Sequence, residues 1–411
     1  MAQNSFACLD VGSSRVRAVV LEYNASQRLS VLGFFETPSL GLRRGRVVDF
    51  NDLVQVMGNI LSQIRNVSKP ALKNIFLSLP SVDFKMHRSR GSVAVSRADL
   101  EISEGDVSRA MDAARAIHVP HNRMLVHTIT REFMVDGVSD ITDPLGMMGG
   151  KLEVDSLIVD LFAPSVKSLS KSVEMGGGQV ETMIFEPLSV SRAVLSKNQK
   201  DLGVMSLDIG HSITSLSVFE EGKLMHLASF PLGAGNITND LAIGLKSSIE
   251  IAEKAKLAYG HAISREIPQR SFIELQKLDS LSRGQVSRKF VAEIIEARLA
   301  EILEFVNNEL KSIGRYARLP AGVILSGGGS KCPGLLDLVR RDLKLPSSIA
   351  MPDTNIFDID EPSLYDKLTD VESSTLVGLV LWRQDIHEGI AKKGFYGQNR
   401  WWRRALKLFI P

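Results

Sequence analysis

Two short stretches pair an acid with a turn of small residues. In the first, an apolar run ends in Asp10 and turns through Gly12, Ser13 and Ser14 into a second apolar run. The other reads Asp208, Ile209, Gly210, His211, Ser212 and again continues into an apolar run, residues 213–219. A carboxylate at a strand end holds a divalent metal through water, and a Gly/Ser turn lets backbone N–H groups come close to a phosphate. Two copies in separate halves of one chain describe a duplicated α/β fold that clamps one phosphorylated ligand from both sides. Residues 321–326 run into Gly327, Gly328 and Gly329, a bare backbone against which a flat ligand or a phosphate can lie. Glu186 stands before Pro187 at a predicted helix start, where it either positions a water on a terminal phosphate or answers the helix macrodipole. Glu253 and Lys256 are i, i+3 neighbours, either a surface ion pair of about 0.3 kcal/mol or a grip on ribose or adenine. Cys8 and Cys332 are the only cysteines and lack companion ligands, which predicts reduced thiols rather than a metal centre.

The elements that must position these groups are legible as patterns. Residues 29–36 read as a third strand, 51–67 as an amphipathic helix with Asn51 as N-cap, and 74–79 as a strand stopped by Pro80, a βββαβ order. Residues 81–163 break that order. Alternation at Val93 and Val95, a helix over 104–117 opened by Ser103 with Asp106 at its third position, and strands near 124–134 and 152–162 predict a small inserted α+β subdomain. Met147, Met148, Gly149 and Gly150 read as a mobile loop within it. A helix over 164–176 and the helix at Pro187 lead to the second half, which opens at Leu202 and has its third strand at 223–230. A glycine turn at 233–240 enters one helix, and a capping box from Ser247 to Glu250 opens another that ends before Gly260. Over 287–310, Val291, Ile294, Ile295, Leu299, Ile302, Val306 and Leu310 form an apolar stripe, and Arg298 falls inside it. A guanidinium there requires an anion: Glu301 or Glu309 internally, or a partner protein's carboxylate. An apolar helix over 373–382 and a glycine-containing linker over 388–398 complete the body.

At 411 residues the chain exceeds a single core, and 44% apolar with 23% charged residues is a globular composition. No apolar run reaches about 18 residues, and no charged n-region precedes an apolar stretch, so neither a spanning helix nor a secretory signal is expected. The net charge of +2 conceals an asymmetry, because residues 391–411 carry Lys392, Lys393, Arg400, Arg403, Arg404 and Lys407 and no acid. The body is therefore mildly acidic, which points away from nucleic acid, while the tail calls for an anionic surface. On a helical wheel Trp401, Trp402, Ala405, Leu406, Leu408, Phe409 and Ile410 fill one side, and Arg400, Arg403, Arg404 and Lys407 fill the other. That is the pattern of a helix lying in a bilayer interface, where each cation contributes about 1 kcal/mol near an anionic leaflet. Stable attachment would come from many tails on one assembly.

These motifs resemble the superfamily of actin, sugar kinases and heat-shock chaperone ATPases, whose related halves carry two phosphate turns, two connecting helices and an adenosine loop. Within it the chain resembles the FtsA family of bacterial division proteins over essentially its whole length. The matching pieces are the insertion between Pro80 and Pro164, the turn 235–240, the stretches 252–260, 322–335 and 373–378, and the basic amphipathic terminus. The resemblance implies an α/β, actin-like (ribonuclease H-like, duplicated) two-lobed fold. Subdomain IA would comprise 1–81, 164–193 and 373–388, the inserted IC 82–163, IIA 194–230 with 315–372, and IIB 231–314. A linker at 389–399 and a membrane-targeting amphipathic helix at 400–411 would follow.

It implies that Asp10, Gly12, Ser13 and Ser14 form the first phosphate turn of an ATP site, and Asp208, Gly210, His211 and Ser212 the second. Asp10 and Asp208 would hold Mg through water, and Glu253, Lys256 and Gly327, Gly328 and Gly329 would meet adenosine. Arg298 would hold the C-terminal peptide of FtsZ. Trp401, Trp402, Arg403, Arg404, Leu406, Lys407, Leu408 and Phe409 would enter the membrane. The implied setting is the cytoplasmic side of the cell membrane at the division site, with self-association, further division proteins on IC and no nucleic-acid partner. The family's second turn commonly reads Asp-Ile-Gly-Gly-Gly-Thr-Thr-Asp, whereas here His211, Ser212, Ile213, Thr214 and Ser215 follow Gly210. Losing two glycines and a late acid spares phosphate contacts more than a placed water. The expectation is ATP binding with very slow or no turnover, Glu186 being the catalytic candidate. The alternatives are a PilM-like pilus-assembly homologue, which would lack the tail, and a small-molecule kinase, which would want a substrate cleft and no membrane helix.

Overall fold

The computed structural model describes residues 5–24, 28–280, 284–359, 361–388 and 397–398. Strand β1 (Ser5–Val11) is buried along its whole length and pairs antiparallel with β2 (Arg15–Tyr23), which pairs with β3 (Leu29–Pro38). A short hairpin, β4 (Leu42–Arg43) and β5 (Arg46–Val47), precedes α1 (Phe50–Val67), and β6 (Ile75–Leu79) returns parallel to β1.

The insertion comprises β7 (Phe84–Ala94), α2 (Glu104–Arg115), β8 (Arg123–Val135), β9 (Val138–Ile141) and β10 (Lys151–Phe162), with sheet order β8-β10-β7 and β9 beside β8. It has a small core of its own around Ile102, Ala110, Phe133 and Val154. Its helix opens on the expected capping box, Ser103 and Asp106 bonding reciprocally. The first lobe then closes with α3 (Ala163–Met175), β11 (Val180–Phe185) parallel to β6, and α4 (Glu186–Val194).

The second lobe repeats the plan. After α5 (Lys197–Leu202) come β12 (Val204–Ile209), β13 (Thr214–Glu220) and β14 (Lys223–Phe230), an antiparallel meander, then α6 (Ala234–Leu245) and α7 (Ile249–Tyr259). A small hairpin of β15 (Phe272–Glu274) and β16 (Gln285–Ser287) leads into α8 (Arg288–Ser312), and β17 (Val323–Ser326) runs parallel to β12. The chain continues through α9 (Leu335–Leu343), β18 (Ser347–Ile349), β19 (Phe357–Asp358), α10 (Pro362–Thr369) and α11 (Ser374–His387), and β20 (Gly397–Gln398) pairs with His127 and Thr128 of β8. The sheet orders are β11-β6-β1-β2-β3-β19 and β14-β13-β12-β17-β18. Each lobe thus carries a three-strand meander extended by two parallel strands on the side of its first strand, with β19 added parallel to β3 in the first lobe, and each has its own apolar core.

Several boundaries differ from the sequence pattern. Asp49, not Asn51, caps α1, accepting bonds from the Asn51 and Asp52 N–H groups. Ser248, not Ser247, caps α7. Helix α11 continues to His387, beyond the 373–382 pattern. Residues 147–150, expected as a mobile loop, are stitched down: Ile102 N–H donates to Met147 O (2.9 Å), Gly149 N–H to Leu100 O (3.0 Å) and Gly150 N–H to the Asp136 carboxylate (2.9 Å). The residues from Trp401 to Phe409, expected to enter the membrane, lie outside the described residues, as does most of the expected 389–399 linker. No helix among the described residues is long and apolar enough to cross a membrane.

Candidate functional site

The two acid turns are copies in three dimensions as well as in sequence. Asp10 and Asp208 are the penultimate residues of β1 and β12, and each turn is closed by the same bond: Gly12 N–H to Arg15 O (3.1 Å), Gly210 N–H to Ile213 O (2.9 Å). A serine on the adjacent parallel strand holds each acid, Ser78 donating to Asp10 Oδ1 (3.0 Å) and Ser326 to Asp208 Oδ1 (2.7 Å). Neither serine was singled out from the sequence, although the repeat of an apolar strand with a serine near its end would have revealed both. The turns meet across the lobes, where the Ser212 hydroxyl donates to Ser13 Oγ (2.6 Å).

Burial dominates the electrostatics of this junction. It pushes the Asp208 carboxyl up to about 6, with Ser326 opposing and the charge of Asp10 adding to the rise. It also raises Asp10, against the pull of Arg17, and it raises Glu186 well above the ordinary carboxylate value, with Asp208 and Asp10 as further causes. Glu186 and Pro187 open α4 as expected, so the three acids share one low-dielectric space. Arg17, the cation that offsets Asp10, is anchored by Glu372. Glu372 also receives Lys331, so the first hairpin is tied to the glycine loop of the second lobe.

The glycine loop is built for close approach. A Cβ on Gly327 would stand 2.6 Å from Ile209 O and 3.0 Å from Asp208 Oδ1, and one on Gly329 would collide with the Ile209 side chain. These two glycines are required by the end of β12, and Gly328 is the one that faces Glu372. A 3-10 turn over Gly328–Lys331 follows the strand, and α9 begins at Leu335.

Helix α6 is bonded to the second turn: Ala234 N–H donates to Gly210 O (2.8 Å) and Gly235 N–H to His211 O (2.7 Å). The His211 ring lies against Gly235, and burial followed by the charge of Lys256 holds its pKa below the ordinary value. Lys256 donates to Thr238 Oγ1 (2.8 Å) and Glu253 (2.7 Å), so the Glu253–Lys256 pair ties α7 to α6 beside the turn. It is more than a solvated surface pair.

Arg298 lies apart from this site. Its guanidinium engages Asp240 through Nε (2.6 Å) and Nη2 (3.0 Å) and also bonds Glu301. Of the two internal anions expected, Glu301 is used; Glu309 instead accepts from His226 (2.8 Å). Asp240 was not anticipated, because it sits on a different helix. Arg298 borders a groove of about 440 Å³ lined by Ile243, Gly244, Phe290, Ile294 and Ala297.

The family described as cell division protein FtsA matches residues 205–378, and the SHS2 domain inserted in FtsA matches residues 83–160. The FtsA of Bacillus subtilis is 34% identical over 84% of this chain and 78% of its own length. The chain belongs to the FtsA family. A second FtsA, from Borreliella burgdorferi, is 30% identical over 94% of the chain and 92% of its own length. Among solved structures, the PilM-PilN type IV pilus biogenesis complex superposes with a TM-score of 0.64 at 18% identity, covering 92% of this chain and 98% of that one. MreB5 of Spiroplasma citri bound to ADP gives 0.54 at 14% identity, covering 94% and 98%. At these identities the structural neighbours establish the actin-like fold of an FtsA-family chain. The insertion expected as subdomain IC corresponds to the SHS2 domain.

Proposed function

We propose that this FtsA-family protein binds ATP with magnesium between its two acid turns and tethers FtsZ to the cytoplasmic side of the cell membrane at the division site. The observation that carries the nucleotide site is the clasp of Ser13 and Ser212, which brings duplicate acid turns from the two lobes to one point. The fold neighbour MreB5 of Spiroplasma citri, bound to ADP, supports the same ligand class. Turnover is very slow or absent, because Gly210 is followed by His211 and Ser212 rather than by further glycines and a late acid.

The residues fit a hydrated magnesium ion. Serine donors occupy one oxygen each of Asp10 and Asp208, which leaves the other for water around a cation, and burial of three acids makes a cation favourable there. Among the described residues no three acids, histidines or cysteines converge to hold an ion unaided, so water and phosphate complete the shell. When bound, magnesium neutralises phosphate charge. The chain's own part is to orient it through Asp10 and Asp208 and to surround the phosphates with turn N–H and hydroxyl donors.

FtsZ docks by its C-terminal peptide in the groove beside Arg298, other division proteins dock on the inserted subdomain, and copies of the chain assemble. Assembly multiplies the weak grip of each basic, tryptophan-bearing tail. The test is flotation with anionic liposomes, comparing the full chain with one ending at Gln398, with FtsZ added. The full chain should float and carry FtsZ, and the shortened chain should do neither. Flotation of both or of neither would remove the tether.

A further inference from the structure

The segment between β3 and α1 carries three arginines that the site described above leaves unused. Ser39 N–H donates to Ser14 O (2.9 Å), which ties the segment to the first phosphate turn. Its hairpin turns through Arg44 and Gly45, with φ of 50° and 70°, the pair of positive values that a tight two-residue hairpin demands. The tip then reaches the second phosphate turn. A Cβ on Gly45 would stand 2.9 Å from Pro80 O and 3.0 Å from Ile213 Cδ1, and Ile213 directly follows Ser212. Pro80 follows the carboxyl end of β6, and Glu186 follows that of β11, so the hairpin lies at the edge where strands of open α/β sheets present ligands.

Register decides which residues are offered there. Leu42 pairs with Val47 and Leu42 is buried, so the next pair, Arg43 opposite Arg46, faces away from the core. Arg43, Arg44 and Arg46 are all exposed. Like charges directly opposite on a two-strand hairpin destabilise it, and this hairpin adds a third cation at its tip. Arg46 reaches Asp83 only at 3.6 Å, and Asp83 already accepts from Arg123 at 2.9 Å. Among the described residues, Arg43 and Arg44 have no ion-pair partner.

We propose that Arg43, Arg44 and Arg46 form a guanidinium cluster that takes the terminal phosphate of a nucleoside triphosphate held between the two turns. This rests on the nucleotide reading of the site. The terminal phosphate bears the most charge and offers three oxygens, and planar guanidinium forks bond such oxygens in pairs. A diphosphate, lacking that group, would leave the cluster unengaged. The cluster is therefore the element that distinguishes ATP from ADP, and the anion relieves the repulsion between Arg43 and Arg46.

The experiment measures Kd for ATP and for ADP, each with magnesium, on the full chain, on Arg44→Ala and on the double variant Arg43→Ala/Arg46→Ala. The melting temperature without nucleotide is recorded for each. The double variant should lose at least tenfold in ATP affinity, keep its ADP affinity within twofold, and melt at the same temperature or higher because a like-charge pair is gone. Equal losses for ATP and ADP, or no loss for either, would overturn the cluster while leaving the nucleotide site standing. A lower melting temperature without nucleotide would make the arginines structural and overturn it too. If the unaltered chain binds neither nucleotide, the site reading and the cluster fall together.

Discussion

The groove on α8 sets Arg298 between competing anions, and that competition can be measured. Asp240 takes two bonds from the guanidinium and Glu301 takes a third, so two internal carboxylates already surround one cation. An incoming peptide carboxylate must share it. A hydrogen bond to a charged group contributes about 1.5–3 kcal/mol when made, so Arg298→Ala should weaken an FtsZ C-terminal peptide by roughly 10- to 150-fold. The fold should survive, because the Asp240 and Glu301 side chains are 29% and 44% exposed and water takes up most of the lost pairing. Glu301→Gln removes one competitor and should tighten the peptide by roughly twofold to tenfold, more at low salt than at high. The assay is a fluorescence-anisotropy titration of labelled peptide at two salt concentrations, with a melting curve for each variant. Peptide affinity within twofold of the unaltered chain for Arg298→Ala would refute the reasoning and leave Arg298 as an internal tie between α6 and α8. Weaker binding by Glu301→Gln would show that Glu301 belongs to the recognition surface.

The acid junction makes a second prediction. The native state holds the Asp208 proton up to about pH 6, so this stabilising contribution is complete below the ordinary carboxylate value and is lost as pH rises through 6. In EDTA, Asp208→Asn should flatten that slope and raise stability at pH 7.5 by roughly 1–3 kcal/mol; an unchanged slope would refute it. His127 acts in the opposite sense: burial lowers its pKa to about 3, and its Nε2 accepts from Phe185 N–H (2.9 Å), so its contribution is complete above its ordinary value and lost as pH falls. His127→Gln should therefore gain stability relative to the unaltered chain on acidification from pH 7 to 5, and a constant difference in urea unfolding would sink the idea. ATP turnover by purified protein should be barely above background, and sustained multiple turnover at ordinary enzyme rates would contradict the reading of the His211 turn. Because α6 joins that turn to Asp240, saturating Mg-ATP should change peptide affinity at least threefold, and identical Kd values with and without nucleotide would dissociate the two sites.

The parts legible in the sequence were those encoded by contiguous pattern. The repeated acid turn, the capping box of α2 and the apolar stripe of α8 each arise from neighbours along one chain segment, and each appears where the pattern placed it. Caps shifted by a residue or two because Asp49 and Asn51, or Ser247 and Ser248, are chemically equivalent candidates, and only backbone geometry selects between them. The β4–β5 hairpin escaped notice because strands of two residues have no period to read. Asp240 escaped because its partner Arg298 lies on another helix, and nothing local to either residue announces the pair.

Those long-range pairings are also what join the chemistry into one machine. The first turn of α6 is bonded to the carbonyls of Gly210 and His211, and Lys256 of α7 braces the same end through Ala234 and Thr238. Two turns further along, Asp240 holds Arg298, while Ile243 and Gly244 form part of the groove wall. A helix resists bending over so short a length, since its backbone bonds run along its axis. A phosphate that displaces the Ser13–Ser212 clasp must move the second turn, and the second turn cannot move without its bonded helix. On the proposed nucleotide site, the groove would therefore inherit the shift that a bound nucleotide imposes. The Asp240–Arg298 ion pair, with one member on α6, is the point at which that shift would change the cation that the proposed function offers to a peptide.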